Sequence, residues 1–184
     1  MSEASVAGLR SYVLHSSRQL SSLTRGLAAV LFLSASAVNA AQTDVTIGMQ
    51  LEPPNLDPTG GAAAAIDEVV YANIFEGLTR FEADGSISPA LAESWEISED
   101  GKTYTFTLRT GVTYHDGSAF DANDVKFSLD RARAEDSTNA QKALFADIES
   151  VEIVDEATVK IQLVNPNGNL AFNLAWGDAV IVAE

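Results

Sequence analysis

Residues 89–131 read PALAESWEISEDGKTYTFTLRTGVTYHDGSAFDANDVKFSLDR, and the fold is decided here. Ser94–Ser98 and Thr103–Leu108 are two strand-like runs joined by Glu99-Asp100-Gly101. An acidic residue followed by glycine favours a tight hairpin turn, because glycine accepts positive φ without strain. In the second run Tyr104, Phe106 and Leu108 alternate with Thr103, Thr105 and Thr107. That period of two gives a strand one apolar face and one hydroxyl-lined face. Val112, Tyr114 and the turn His115-Asp116-Gly117 follow, and a helix is expected to start at Asp121. Asp121 can cap the first free N–H groups, and Asp124 places favourable charge near the same helix end.

The wording of two blocks says more than their periodicity. LAESWEISEDGKTYTFTLRTGV (91–112) and YHDGSAFDANDVKFSLDRA (114–132) closely resemble the family 5 extracytoplasmic solute-binding proteins, the peptide- and nickel-type receptors of ABC importers. The resemblance runs in ordered blocks from about Asp44 to Glu184. It implies an α/β, periplasmic binding protein-like fold (type II, family 5), here its N-terminal part, with antiparallel hairpins packed on helices.

Composition narrows the partners. The 184 residues hold 11 Lys plus Arg against 26 Asp plus Glu, a formal charge of −15. Residues 1–40 carry Arg10, Arg18, Arg25 and the single acid Glu3, leaving 8 basic and 25 acidic residues, a net −17, beyond them. Such a surface repels phosphate backbones and anionic headgroups, so no nucleic-acid partner is expected. There is no cysteine. Disulfides, thiol catalysis, cysteine-held metals and a lipid anchor on an N-terminal cysteine are excluded.

Residues 1–25 are polar and rich in serine, and Gly26–Val38 is the apolar run GLAAVLFLSASAV. Val38 and Ala40 stand at the −3 and −1 positions of a cleavage site, the layout of a secretory signal peptide over 1–40. A membrane anchor is the competing reading, and the run is short of the roughly 20 residues a bilayer requires. Cleavage after Ala40 and a free periplasmic protein are expected.

Asp44–Gln50 predicts a first strand with Val45, Ile47 and Met49 on one face, ended by Pro53-Pro54. Asn55-Leu56-Asp57-Pro58 leads into Thr59-Gly60-Gly61-Ala62-Ala63-Ala64-Ala65. The resemblance implies that such an "LDP" loop borders the ligand cleft. Its small side chains leave the backbone open to main-chain contacts, which makes Gly60, Gly61, Ala62 and Ala63 candidate substrate-binding residues. A plain loop entering a helix is the other reading. Ala62–Glu76 has helical spacing and Gly77 is a fitting stop. These residues, 41–80, are expected to begin the first lobe.

Residues 81–175 are expected to form a small α/β lobe with two β-hairpins. Arg109 reads as a surface ion pair, or as a clamp for a ligand anion. His115-Asp116-Gly117 reads as a turn, since no nucleophile stands beside it in a recognisable context. Asp121–Arg133 predicts a helix with Val125, Leu129 and Ala132 inward. A short helix over Gln141–Ala146 and a second strand pair, Ser150–Val154 with Thr158–Leu163, complete the lobe. Asn169–Leu174 reads as a helical turn. Trp176 is a further substrate-binding candidate at the cleft edge, or a hinge or core residue. Residues 176–184 are expected to start the return to the first lobe, and family members run considerably longer.

The resemblance thus implies a binding protein, not an enzyme. It would capture di- or oligopeptides in the periplasm and hand them to an inner-membrane ABC permease, closing about a hinge. It is expected to be a monomer without cofactor or metal. The alternatives are a nickel-chelate, opine or sugar ligand on the same fold, a non-functional truncated fragment, and a hydrolase. With exposed strand edges, residues 41–184 alone are expected to be poorly stable.

Overall fold

The computed structural model describes residues 45–61 and 63–184. The expected signal peptide and the candidate Ala62 lie outside the described residues. Val45–Gly48 belong to one compact unit and Met49–Glu184 to another.

The expected first strand is not formed. Residues 45–50 enter no ladder, and Val45 and Ile47 are 82% and 79% exposed. Alternation offers an apolar face, but a strand is held by its neighbour's hydrogen bonds and packing.

The second unit is organised on the quoted stretch. β1 (Thr79–Phe81) and β2 (Ile87–Pro89) form a small hairpin. β3 (Ala92–Ile97) and β4 (Thr103–Leu108) form the expected larger one, with Gly101 at φ 69° in its turn. Before β1 lies the helix α1 (Ala64–Val70). α2 (Ala122–Arg133) is followed by a 3-10 turn at Lys142–Phe145, then β5 (Ile148–Asp155) and β6 (Thr158–Leu163). The two larger hairpins join edge to edge in one antiparallel sheet ordered β3-β4-β6-β5.

The register carries the core. Tyr104 faces Ile161 and Phe106 faces Val159 across the β4–β6 ladder. Tyr104, Phe106, Val159 and Ile161 are fully buried, and Leu108 and Leu163 nearly so. Val125, Leu129 and Ala132 of α2 cover this face. Asp121 caps α2: its carboxylate accepts from the Asn123 N–H at 2.7 Å, while Asp124 accepts from the Asp121 N–H at 2.9 Å. This reciprocal arrangement is a capping box with Asp in the third position. Arg109 makes no ion pair among the described residues; its Nε donates to the Ala90 carbonyl at 2.6 Å.

α1 stops well before the expected Glu76. Tyr71 is extended, and Ala72 takes φ 57°, an uncommon value for a residue with a Cβ. Tertiary contacts override the helical spacing here. The Tyr71 hydroxyl donates to the Ala175 carbonyl at 2.6 Å, and Leu78 and Thr79 are fully buried beyond the break.

The C-terminal segment returns across the molecule. A helical turn α3 (Leu170–Asn173) leads to a 3-10 turn at Gly177–Ala179. Ala179, Val180 and Ile181 are buried. The segment is pinned through Ile181 N–H to the Glu76 carbonyl and Val182 N–H to Ser128 Oγ, at 2.8 and 3.0 Å.

Candidate functional site

The LDP loop is shaped by its own side chains. Asn55 Oδ1 accepts from the Asp57 N–H at 2.9 Å. Asp57 Oδ1 then accepts from the Thr59 N–H and hydroxyl, at 2.9 and 2.7 Å. Such side chain-to-backbone bonds fix a turn without any ladder. The loop is held against the end of α2, where Arg131 Nη2 donates to Thr59 Oγ1 at 3.1 Å.

Between them lies a cavity of about 250 Å³. Asp57 and Thr59 form one side, and Ser128, Leu129, Arg131 and Ala132 of α2 the next. Ala134 and Asp136–Asn139 close a third side, and Asp178–Val180 the last. Asn139, 7% exposed, ties two walls together, since its Nδ2 donates to the Asp178 carbonyl at 2.9 Å.

The electrostatics are one-sided. Three carboxylates, Asp57, Asp136 and Asp178, line the cavity against one guanidinium, Arg131. Asp178 is 6% exposed, and among the described residues its carboxylate takes no hydrogen bond from another side chain. Burial, then the charge of Asp67, pushes its pKa up to about 6. Asp67 sits on α1, and its carboxylate packs against Gly177 so closely that a Cβ there would overlap it. Burial raises the Asp67 pKa as well.

The sequence candidates fall around this cavity, not on it. Gly60 and Ala63 are not among its lining residues, and Gly61 packs toward Ile66, whose Cδ1 lies 2.7 Å from where a Cβ would stand. Trp176, 38% exposed, meets Phe81 and Phe172 edge to face, with ring centres 5.8 and 6.3 Å away. It stands two residues from Asp178 but does not line the cavity. Asp178 itself escaped the reading of the sequence. Its signal was there: one acid inside the apolar run LAWGDAVIVA, where a charge is rarely buried without a partner.

A second cavity, about 380 Å³, is lined largely by apolar groups including Ile74, Phe75, Leu91, Phe120 and Ile181. The Tyr114 hydroxyl is buried there without a hydrogen-bond partner, and burial, then the Asp124 charge, raises its pKa. His115-Asp116-Gly117 is the expected turn. Asp116 accepts from the Ser118 N–H and hydroxyl, and His115 Nε2 lies 3.1 Å from the Ile74 carbonyl.

The model of the bacterial extracellular solute-binding proteins, family 5, middle region, matches residues 86–182. The chain belongs to this family. Its fold is mixed α/β with antiparallel sheets, as in the periplasmic binding proteins it superposes on.

A curated relative, the glutathione-binding protein GsiB of Pectobacterium atrosepticum, is 40% identical over 149 residues, 81% of this chain and 29% of that protein. Among solved structures, AgaA of A. tumefaciens R10 in complex with agropinic acid gives a TM-score of 0.67 at 37% identity, covering 71% of this chain and 26% of that one. The periplasmic binding protein DppA of Helicobacter pylori, in complex with the peptide STSA, gives 0.62 at 28%, covering 70% and 28%. The chain thus spans under a third of the length of these relatives. No helix among the described residues is long and apolar enough to cross a membrane.

Proposed function

We propose that this chain belongs to the solute-capturing component of an ABC importer, acts in the periplasm after removal of residues 1–40, and binds short peptides. The observation that carries this reading is the match over residues 86–182 together with 40% identity to a glutathione-binding relative. The geometry supports it. The LDP loop, the end of α2 and the Asp178 turn converge on one polar cavity, lined by groups that orient a small polar ligand. The partner is an inner-membrane permease, the protein works as a monomer, and it binds its solute without transforming it. Closure of a second lobe about a hinge completes the site. Gly60, Gly61, Ala63 and Trp176 border the ligand beside the cavity.

An opine ligand is the second reading, favoured by the 37% identity to the agropinic acid receptor. Calorimetry on the purified protein decides between them, with glutathione, alanyl-alanine, a tetrapeptide and agropinic acid as probes. Saturable binding of a peptide probe is expected. Binding of agropinic acid alone would replace the peptide reading, and hydrolysis of any peptide would overturn the binder reading.

A further inference from the structure

We infer that Asn167 is a site of spontaneous deamidation, and that the carboxylate it gains opposes Asp147 and loosens the loop closing one end of the sheet. Asn167 lines neither of the two cavities described above.

Asn167-Gly168 is the only Asn-Gly pair in the chain. The following glycine matters because the reaction is an attack by the next residue's backbone nitrogen, which a Cβ would crowd. Gly168 is exposed and has nothing within 4 Å of where a Cβ would stand. Its N–H makes no hydrogen bond among the described residues. The nucleophile is therefore unshielded. The electrophile is held and polarised. Asn167 Oδ1 accepts from the Asn169 N–H at 2.9 Å, which folds the side chain over the Gly168 peptide. The same N–H stabilises the negative charge that builds on Oδ1 during attack. Asn167 Nδ2 donates to Asp147 Oδ2 at 2.9 Å, and that carboxylate steadies positive charge on the nitrogen as it leaves. Other asparagines lack this combination. Asn165 precedes Pro166, which has no N–H, and Asn55, Asn73, Asn169 and Asn173 precede Leu or Ile.

Water is the one co-reactant. The Gly168 nitrogen loses its proton and bonds to Asn167 Cγ. The Cγ–Nδ2 bond breaks, and the side-chain nitrogen departs as ammonia, leaving a cyclic imide. Water then opens either imide carbonyl, giving aspartate or its β-linked isomer, and nothing is oxidised or reduced. A donor bonded to Asp147 thereby becomes a second carboxylate beside it, and like charges in contact repel. The effect reaches the sheet because the loop is tied to it. Tyr104 of β4, fully buried, donates its hydroxyl to the Asn167 carbonyl at 2.8 Å. Lys102 Nζ donates to the Val164 carbonyl, and the Val164 N–H to the Asp147 carbonyl, both at 2.9 Å.

For the test, purified protein is incubated in mildly alkaline buffer and peptide mass spectrometry follows each asparagine. Asn167 is expected to gain the mass of an amide-to-acid change before any other asparagine does. Gly168→Ala is expected to slow that gain about tenfold or more. G168A keeps the fold, since the added Cβ meets nothing. Asn167→Asp makes the product directly. It is expected to lower the ratio of folded to unfolded protein in urea about threefold to tenfold, the scale of one hydrogen bond. Asp147→Asn added to N167D restores the ratio, because the amide then donates to the new carboxylate. Another asparagine converting first, or an unchanged rate in G168A, overturns the site. An N167D protein as stable as wild type, or a loss that D147N leaves in place, overturns the effect on the sheet.

Discussion

Phe106 and Asp178 are both hidden from water, at 0% and 6% exposure, yet they are hidden in different ways. Phe106 sits at the centre of a regular sheet, with Val159 opposite it and a helix above. Asp178 sits on a 3-10 turn beside another carboxylate and over a cavity. Burial stabilises the first, because apolar area leaves water at roughly 25 cal/mol per Å². Burial opposes ionisation of the second, because a charge loses hydration beside the like charge of Asp67. The sheet is therefore built for stability, and the cavity wall carries a buried acid whose ionisation its surroundings oppose.

The widest separation between the two regions comes from Phe106→Ala. It is expected to lower stability by about 3–5 kcal/mol, read as a fall in the urea midpoint at unchanged slope. A loss below 1 kcal/mol would mean that the sheet is not the stabilising region.

Asp178→Asn should move stability the other way at neutral pH. The Asp178 pKa is about 6 in the folded protein against an ordinary value of 3.8, so the folded state binds the proton more tightly. Its destabilising effect is absent below about pH 4, grows as pH rises toward 6, and is constant above. Wild type should therefore lose on the order of 2–3 kcal/mol relative to D178N between pH 4 and 7. Parallel pH curves for the two proteins would show that the carboxylate is already satisfied.

Gly177→Ala sharpens the contact between the two acids. The new Cβ would meet the Asp67 carboxylate, at a cost of about 1–3 kcal/mol. Asp67→Ala added to G177A should recover much of that loss, and additive effects would place the strain elsewhere. The smallest effect belongs to a region where helix end and sheet lobe meet. Asp121→Ala removes one half of the capping box and should cost about 1 kcal/mol by denaturation.

The sheet was legible in its four strands, though β3 spans Ala92–Ile97 against the expected Ser94–Ser98 and β5 Ile148–Asp155 against Ser150–Val154. Thr103–Leu108 and Thr158–Leu163 have the bounds the alternation predicts, and the turn at Gly101 and the cap at Asp121 follow from local chemistry. The cavity was legible only in part. Asn55-Leu56-Asp57-Pro58 pointed to a cleft loop, and Asp57 and Thr59 do line the cavity. The neighbouring glycines and alanines do not, because the loop's contacts run through the polar side chains. Arg131 read as a residue of the helix end and Asn139 as part of a polar loop, since nothing in their spacing links them to Asp178.

By itself, then, the sequence determined the elements whose partners are near in the chain. Period two, an acidic-Gly turn and an Asp cap act over a few residues and need no distant help. Only the tertiary structure decided that α1 ends at Val70, that residues 45–50 form no strand, and that Asp178 becomes a buried acid. The first and last of these depend on residues far along the chain, Tyr71 on Ala175 and Asp178 on Asp67. Hydrogen bonds and charges across such separations leave no period in the sequence to read.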